Sequence, residues 1–213
     1  MSIEEPKFAL ALKDGAFEIR DYAASIVAEV TVTGDQKDAS SKGFRLLAGY
    51  IFGGNATRQK IAMTAPVTKT ATSEKIAMTA PVTLIAGAGD WLVRFTMPAR
   101  YALADLPVPN DKAVRIKSIP AARFAVLRVS GLAGEAKVVA ETERLREFIT
   151  ARNLTPVGPS SIARYNPPWT LWFLRRNEVM VPVAGGCADA AGTQGNPSDR
   201  AHRLVAGRRA GGE

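Results

Sequence analysis

The sequence KIAMTAPVTKTATSEKIAMTAPVT, residues 60–83, contains the same nine residues twice, with six residues between the copies. Two copies of so short a unit are too few for a solenoid, so the repeat is predicted to act as a local pair. The simplest local pair is a β-hairpin in which the six intervening residues form the loop. This stretch therefore predicts β-structure in the middle of the chain.

In the predicted hairpin the apolar residues of both copies share one face, on which large side chains oppose small ones. Ile61, Met63, Ala65 and Val67 would lie opposite Val82, Ala80, Met78 and Ile76. Pro66 and Pro81 each remove a ladder donor and indicate an edge, a bend or a bulge. Such a face is typical of core packing, and it is also suited to one wall of an apolar groove with flexible thioethers.

Around the repeat, the apolar pattern predicts the order strand, strand, helix, strand, strand twice over. The predicted strands are residues 8–12, 16–22, 25–33, 91–97, 113–119, 123–130, 161–165 and 179–183, and the predicted helices are residues 36–52 and 135–152. Asp14-Gly15 supplies a tight turn between the first two strands, and Asp35 the N-cap of the first helix. The pattern favours an α+β domain with two helices against a curved, mostly antiparallel sheet.

The bulk composition limits the classes of function. The chain has 213 residues, 46% of them hydrophobic, which suits one or two globular units. Its net charge of +8 is scattered and forms no basic run, so we expect no nucleic-acid partner. No apolar run approaches the roughly 20 residues of a membrane span, and the start is acidic, so we expect a cytoplasmic protein.

Cys187 and His202 are the single cysteine and the single histidine of the chain. Because the chain has only one residue of each type, an internal disulfide, a multi-cysteine metal site and a His-pair metal motif are excluded. Both lie in residues 184–213, a stretch rich in Gly, Ala and Arg that is predicted to be a disordered tail after a domain of residues 1–183. With no histidine or cysteine left in the domain to support a base or nucleophile, we expect no enzyme.

Five motifs together resemble the SOUL haem-binding protein family. They are the doubled repeat, GYIFGGN at residues 49–55, RFTMP at 94–98, LPVPND at 106–111 and ARYNPPWTLWFLRRNEV at 163–179. The resemblance implies a monomer of duplicated βαββ units that form a distorted antiparallel β-barrel flanked by two helices, akin to GyrI-like effector-binding domains. It also implies noncovalent binding of haem or another tetrapyrrole, without known catalysis.

The resemblance places the pocket between the first helix and residues 165–173. The residues expected to contact the ligand are Phe44, Arg45, Leu47, Ile51, Lys60, Met63, Met78, Tyr165, Trp169, Trp172 and Arg175. The histidine that some family members use as an axial ligand has no counterpart here. The positions of basic residues in other members correspond to Ser41, Gly49 and the vicinity of Thr170.

Other residues of the chain are candidates to replace the axial histidine and the basic residues of other family members. The candidate partners for haem propionates are Lys42, Arg45, Lys60, Arg175 and Arg176. The candidate iron ligands are Met63, Met78 and Tyr165, for which packing roles are favoured over ligation. If haem binds, burial of the macrocycle and charge pairing to the propionates must supply most of the affinity, which predicts modest affinity.

Two other functions remain open. The first is binding of other flat hydrophobic molecules, including cations, which an acidic residue in the groove would favour. Asp35, Asp38 and Glu74 lie at element ends, which counts against a cationic ligand. An enzyme acting on such a ligand would have only Glu178, Tyr165, serines and threonines to use, and Glu178 is predicted to pair with a neighbouring cation.

Overall fold

The computed structural model describes residues 3–57, 73–166 and 170–185. The strands of these residues are β1 (Phe8–Asp14), β2 (Phe17–Tyr22), β3 (Ser25–Thr33), β4 (Asn55–Ala56), β5 (Val82–Ala86), β6 (Asp90–Thr96), β7 (Val108–Pro109), β8 (Arg115–Ile119), β9 (Ala122–Ser130), β10 (Ser161–Arg164) and β11 (Arg176–Val183). The α-helices are α1 (Gln36–Ile51) and α2 (Glu135–Ala151), and Trp172–Leu174 form a 3₁₀ turn.

Nine of these strands form one sheet in the order β1-β2-β9-β11-β10-β5-β6-β3-β8, and all of its pairings are antiparallel. Ile162 of β10 and Val179 of β11 lie directly opposite each other. Ile162 belongs to the core under α1 and Val179 to the core under α2. Since opposed residues point to the same face, both helices cover one face of a curled half-barrel, and the predicted fold class is confirmed.

Six of the nine strands of the sheet belong to two copies of one βαββ unit. The first unit is β3-α1-β5-β6 and the second is β9-α2-β10-β11, and in each the first strand pairs with the last. The two units meet where β5 pairs with β10, with Leu84 opposite Ile162. Both of these residues are fully buried, so the junction is part of the core.

The strand before each unit pairs with the other unit. β2 precedes the first unit but pairs with β9, and β8 precedes the second unit but pairs with β3. The two pairings keep one register, with Tyr22 opposite Ala122 before the break and Ser25 opposite Ile119 after it. Pro120, which has no N–H to donate, lies in the break between β8 and β9. This exchange links the two halves of the molecule.

Helix α1 begins and ends close to the predicted residues. The side chain of Asp35 accepts a hydrogen bond from the N–H of Asp38, which makes Asp35 the N-cap. Leu47 and Ile51 are buried on its inner side. Gly53, with a φ of +115°, follows the C-cap residue and ends the helix in a backbone conformation that favours glycine.

The structure contradicts the predicted hairpin of the doubled repeat at Val82. The first copy, residues 60–68, lies outside the described residues. In the second copy, only Val82 and Thr83 belong to a strand, β5. Val82 lies opposite Arg164 on one side and Phe95 on the other, so neither edge is open for Ile61. The missing N–H of Pro81 falls just before β5, where no ladder bond is required.

The predicted tail falls almost entirely outside the described residues, which end at Gly185, and so do Cys187 and His202. Within the described part of the chain, neither α-helix combines the length and the apolar character that a membrane span requires.

Candidate functional site

The predicted site residues of α1 divide between the core and the surface. Leu47 and Ile51 are fully buried beneath the helix, whereas Arg45 is exposed. Phe44 is half-buried, and its ring lies edge-on to Phe95 at 5.5 Å between centroids. Met78 is half-buried against the same core. The structure therefore brings Phe44 and Met78 to the margin of the α1 core and places Leu47 and Ile51 inside it.

An exposed apolar run lies between β10 and β11. Its exposed fractions are 59% for Leu171, 62% for Trp172, 55% for Phe173 and 61% for Leu174. The rings of Trp172 and Phe173 lie edge-on to each other at 5.6 Å. Four successive large apolar side chains in water are costly, and contiguous exposed apolar surface of this kind marks a binding site. We call residues 171–174 the apolar run.

Hydrogen bonds fix the apolar run beside the loop that leads into α2. The N–H of Gly131 donates to the carbonyl of Arg175, and the side-chain amide of Asn177 donates to the carbonyl of Gly131. On the other side, Nε of Arg175 donates to the carbonyl of Thr170 at 2.8 Å. The run is thus held at both ends, and its side chains remain exposed.

Arg164, which is not among the predicted site residues, connects this region to α1. Nη1 donates to Oγ of Ser40 on α1, and Nη2 donates to the carbonyl of Ala133, both at 3.3 Å. Nε has no hydrogen-bond partner in the described part of the chain. Burial and, after it, the positive charge of Arg175 lower the pKa of Arg164 below its ordinary value. Arg164 thus joins β10 to α1, and Arg175 is near enough for its charge to act on Arg164.

Tyr165 lies on the other face of the sheet from Arg164, because successive strand residues alternate. Its hydroxyl donates to Oε2 of Glu178 at 2.7 Å, and the guanidinium of Arg176 lies 3.7 Å from its ring centroid. Burial, followed by the charge of Glu178 and this hydrogen bond, raises the pKa of Tyr165 well above its ordinary value. The geometry thus opposes a phenolate ligand, and Tyr165 does not join the residues beside α1.

The face that carries Tyr165 holds a buried ionic network. Glu178 accepts hydrogen bonds from Arg20 and Arg176, which confirms its predicted pairing with a cation. The other two buried carboxylates are also paired: Glu18 accepts from Arg20, and Glu29 pairs with Arg94 and Lys117. No acid was predicted inside the groove. The structure places three on this face: Glu18 and Glu178 share Arg20, and Glu29 pairs with Arg94 and Lys117.

A separate cleft of about 390 Å³ lies between α2 and the turn that joins β5 to β6. Leu84, Trp91, Val138 and Ile162 contribute its apolar lining. None of the predicted site residues lines it. Lys60, Met63 and Trp169 lie outside the described residues, so their predicted roles stay predictions. Among the residues that are described, no three His, Cys, Asp or Glu side chains converge in a way that would hold a metal ion.

Comparison with known proteins gives one family and one fold. The model of the family described as SOUL heme-binding protein matches residues 3–182. The EcmrR C-terminal domain superposes with a TM-score of 0.55 at 10% identity, covering 83% of this chain and 97% of that one. A hydrolase from Listeria innocua superposes with a TM-score of 0.53 at 10% identity, covering 82% of this chain and 94% of that one. An uncharacterized conserved protein from Listeria innocua superposes with a TM-score of 0.51 at 11% identity, covering 79% of this chain and 92% of that one. No curated protein matches the chain.

Proposed function

The chain belongs to the SOUL haem-binding protein family, and from this premise we propose that it binds haem or a related tetrapyrrole noncovalently. The proposed site lies between α1 and the apolar run, with Arg164 and Arg175 at its polar end. We propose the role of a carrier, buffer or scavenger, and we assign no reaction to the site.

The observation that carries this proposal, beside the family, is the apolar run itself. Trp172 and Phe173 are both more than half exposed, although each has a large flat ring. A tetrapyrrole offers a flat apolar surface on which such rings stack, and each Å² of apolar surface removed from water contributes about 25 cal/mol. Binding would therefore cover side chains that water now surrounds.

Iron ligation contributes little in this proposal. Tyr165 faces away from α1 and keeps its proton in a hydrogen bond to Glu178. Met78 is half-buried against the core, so its thioether must leave apolar neighbours before it can reach a metal. We therefore expect modest affinity, and we expect iron-free protoporphyrin to bind about as tightly as ferric haem.

A visible-spectrum titration with ferric haem tests the proposal. The native chain should give a saturable one-to-one shift of the Soret band. Trp172→Ala should weaken haem affinity about fivefold or more, because truncating an interface Trp commonly costs over 1 kcal/mol. Val157→Ala is the matched control, since Val157 is also 62% exposed but lies outside the run. Absence of a saturable shift in the native chain, or equal weakening by both substitutions, would refute the proposal.

The buried carboxylates among the described residues do not favour a cationic ligand. A cation requires a carboxylate that is free to pair, and Glu18, Glu29 and Glu178 are each engaged by an arginine or a lysine. Breaking one of those buried pairs to admit a cation would leave an arginine without its counter-charge. A flat dicarboxylic ligand meets no such penalty near Arg164 and Arg175.

A further inference from the structure

Gln36, the first residue of α1, carries a buried amide group without a hydrogen-bond partner. The residue is 4% exposed, and no acceptor reaches its Nε2 within the described part of the chain. A buried donor that forms no hydrogen bond is unfavourable, and native structures retain few of them. The proposed tetrapyrrole site makes no use of Gln36. The unsatisfied donor therefore requires an explanation of its own.

Gln36 lines the cleft of about 390 Å³ between α2 and the turn that joins β5 to β6. This volume is near the lower limit of the usual range for small-molecule sites. Both βαββ units line the cleft, since Gln36 and Trp91 come from the first unit and Val138 from the second. Leu84 and Ile162, which lie opposite each other where the units meet, line it as well. The unpartnered donor thus borders a cleft with an apolar wall from both units.

The charged residues around the cleft limit the ligands that it can accept. Arg146 lines the cleft, but it pairs with Glu143 at 3.1 Å. The other two charged residues, Asp90 and Glu135, form no ion pair with any residue that the structure describes. Two carboxylates without a counter-charge repel an anion. The cleft is therefore unsuited to a carboxylic acid, and the propionates of a tetrapyrrole are excluded with it.

We propose that this cleft is a separate ligand site, which binds a small uncharged molecule with a flat apolar body and a carbonyl oxygen. The carbonyl accepts the hydrogen bond that Nε2 of Gln36 is free to donate, and the apolar body packs against Trp91 and Val138. Because the donor is buried, its hydrogen bond distinguishes a ligand that has an acceptor from one that lacks it. None of the residues predicted for the tetrapyrrole site lines the cleft, so this inference does not rest on the proposed function.

Acetophenone and ethylbenzene test the hydrogen bond, because they share ring and shape and only acetophenone has a carbonyl oxygen. NMR titration of the full chain should show acetophenone binding about fivefold or more tightly, as expected for one hydrogen bond to a buried donor. The side-chain amide signal of Gln36 should move downfield with acetophenone, and its assignment follows from its loss in Gln36→Leu. Equal affinity for the two probes would refute the role of Gln36.

Gln36→Leu separates a binding role from a structural one. The substitution removes the donor and keeps an apolar side chain of similar size, so acetophenone affinity should fall to that of ethylbenzene while ethylbenzene affinity is unchanged. The melting temperature of the ligand-free chain should hold or rise, because an unsatisfied buried amide is lost. A large fall in melting temperature with the preference for acetophenone intact would make Gln36 a structural residue and overturn the assignment.

Val139→Trp tests the place of binding without changing Gln36. Val139 lines the cleft and is 57% exposed, so a tryptophan there should fill the cleft and abolish binding of both probes. Val157→Trp is the matched control, since Val157 is 62% exposed and does not line the cleft. If both variants bind acetophenone as the native chain does, the probe lies elsewhere and the site is wrong.

Benzoate tests the charge preference, because it resembles acetophenone in size and carries a negative charge. Benzoate should bind the native chain more weakly than acetophenone, and the double substitution Asp90→Asn with Glu135→Gln should reduce that difference. If neither acetophenone nor ethylbenzene binds the native chain, the separate site is refuted, whatever the haem titration shows. If acetophenone displaces bound protoporphyrin, the two sites are one and the inference is likewise overturned.

Discussion

Arg20 of β2 donates two hydrogen bonds to the carboxylate of Glu178 of β11, at 2.7 and 3.0 Å, across the intervening strand β9. Both side chains are almost entirely removed from water, with 1% and 0% exposed. Arg20 also donates to Glu18 on its own strand. β2 precedes the first unit, whereas β11 ends the second. This ion pair therefore fixes β2 to the half of the sheet that the second unit forms.

Replacing one partner of this pair should destabilise the fold strongly. Arg20→Met leaves Glu178 buried with one fewer cation, and breaking a buried pair costs about 3–5 kcal/mol. Urea unfolding should therefore show a loss of that size. Arg146→Met removes an exposed pair with Glu143, in which the side chains are 57% and 59% exposed, and should cost under about 1 kcal/mol. Equal losses from the two substitutions would contradict the role given to Arg20.

Acid should destabilise the chain through its paired carboxylates. Burial alone would raise the pKa of Glu178, but hydrogen bonds from Arg20 and Tyr165, with the charges of Arg20 and Arg176, lower it. A folded pKa below the unfolded value, about 4.3 for Glu, means that the unfolded chain binds the proton first. The contribution to stability is complete above that value and is lost as pH falls through the folded pKa.

Urea midpoints measured between pH 7 and pH 3 check this acid dependence. The midpoint should hold near neutral pH and fall below about pH 4.3. The hydrogen bond from Arg123 likewise lowers the pKa of Asp21, although Asp21 is partly exposed. Asp21→Asn should therefore keep most of the acid dependence. A urea midpoint that stays constant or rises as pH falls would contradict the predicted acid destabilisation.

Two glycines of α1 should respond oppositely to alanine. A Cβ on Gly43 would meet the side chain of Val93 at 2.5 to 2.7 Å, whereas a Cβ on Gly49 meets nothing within 4 Å. Gly49→Ala should stabilise the helix by about 0.5–1 kcal/mol. Gly43→Ala should lower the melting temperature, because overpacking costs about 1–3 kcal/mol and outweighs the same helix preference. Similar melting temperatures for both variants would contradict this packing of α1 on β6.

The N-cap of α1 gives a prediction with a conservative control. Oδ1 of Asp35 accepts from the N–H of Asp38 at 2.8 Å. Asp35→Ala removes that acceptor and should reduce the free energy of unfolding by about 1 kcal/mol. Asp35→Asn keeps an acceptor at the same place and should cost little. Loss of equal size in both variants would mean that charge, and not the cap, matters at Asp35.

Tyr165→Phe separates packing from iron ligation. The substitution removes the hydroxyl that donates to Glu178, so unfolding should become easier by about 1–3 kcal/mol. The Soret band of the haem complex should keep its position, because Tyr165 faces away from α1. A changed Soret band together with lost affinity in Tyr165→Phe would establish the phenolate as a ligand.

Elements whose causes are local could be predicted from the sequence. Helix α1 was predicted as residues 36–52 and is Gln36–Ile51, since a cap, a periodic apolar side and a glycine stop all lie within the segment. The turn at Gly15, with a φ of +58°, joins β1 to β2 as Asp-Gly predicts. The predicted pairing of Val82 with Ile61 was wrong. Two copies of one apolar sequence are complementary as a hairpin, but β6 and β10 already occupy both edges of β5.

The candidate site was predicted only in part. Trp172 and Arg175 were found from the family motif, and Arg164 in the same motif was missed, because a sequence does not show which arginines lack a carboxylate. Tyr165 was grouped with the α1 residues although it lies on the opposite face. The alternation of strand residues contains that signal, but its use requires knowing which neighbour of Tyr165 points to α1.

By itself, the sequence determined the fold class, the order of the elements and the helix boundaries, because periodicity, capping and turn chemistry act between residues a few positions apart. Tertiary structure alone decided that β2 and β8 exchange between the units, and that Arg20 meets Glu178 across a separation of 158 residues. It also decided that Arg164 of β10 reaches Ser40 of α1. Such contacts depend on how curled sheets and packed helices bring distant residues together, and no local pattern specifies that.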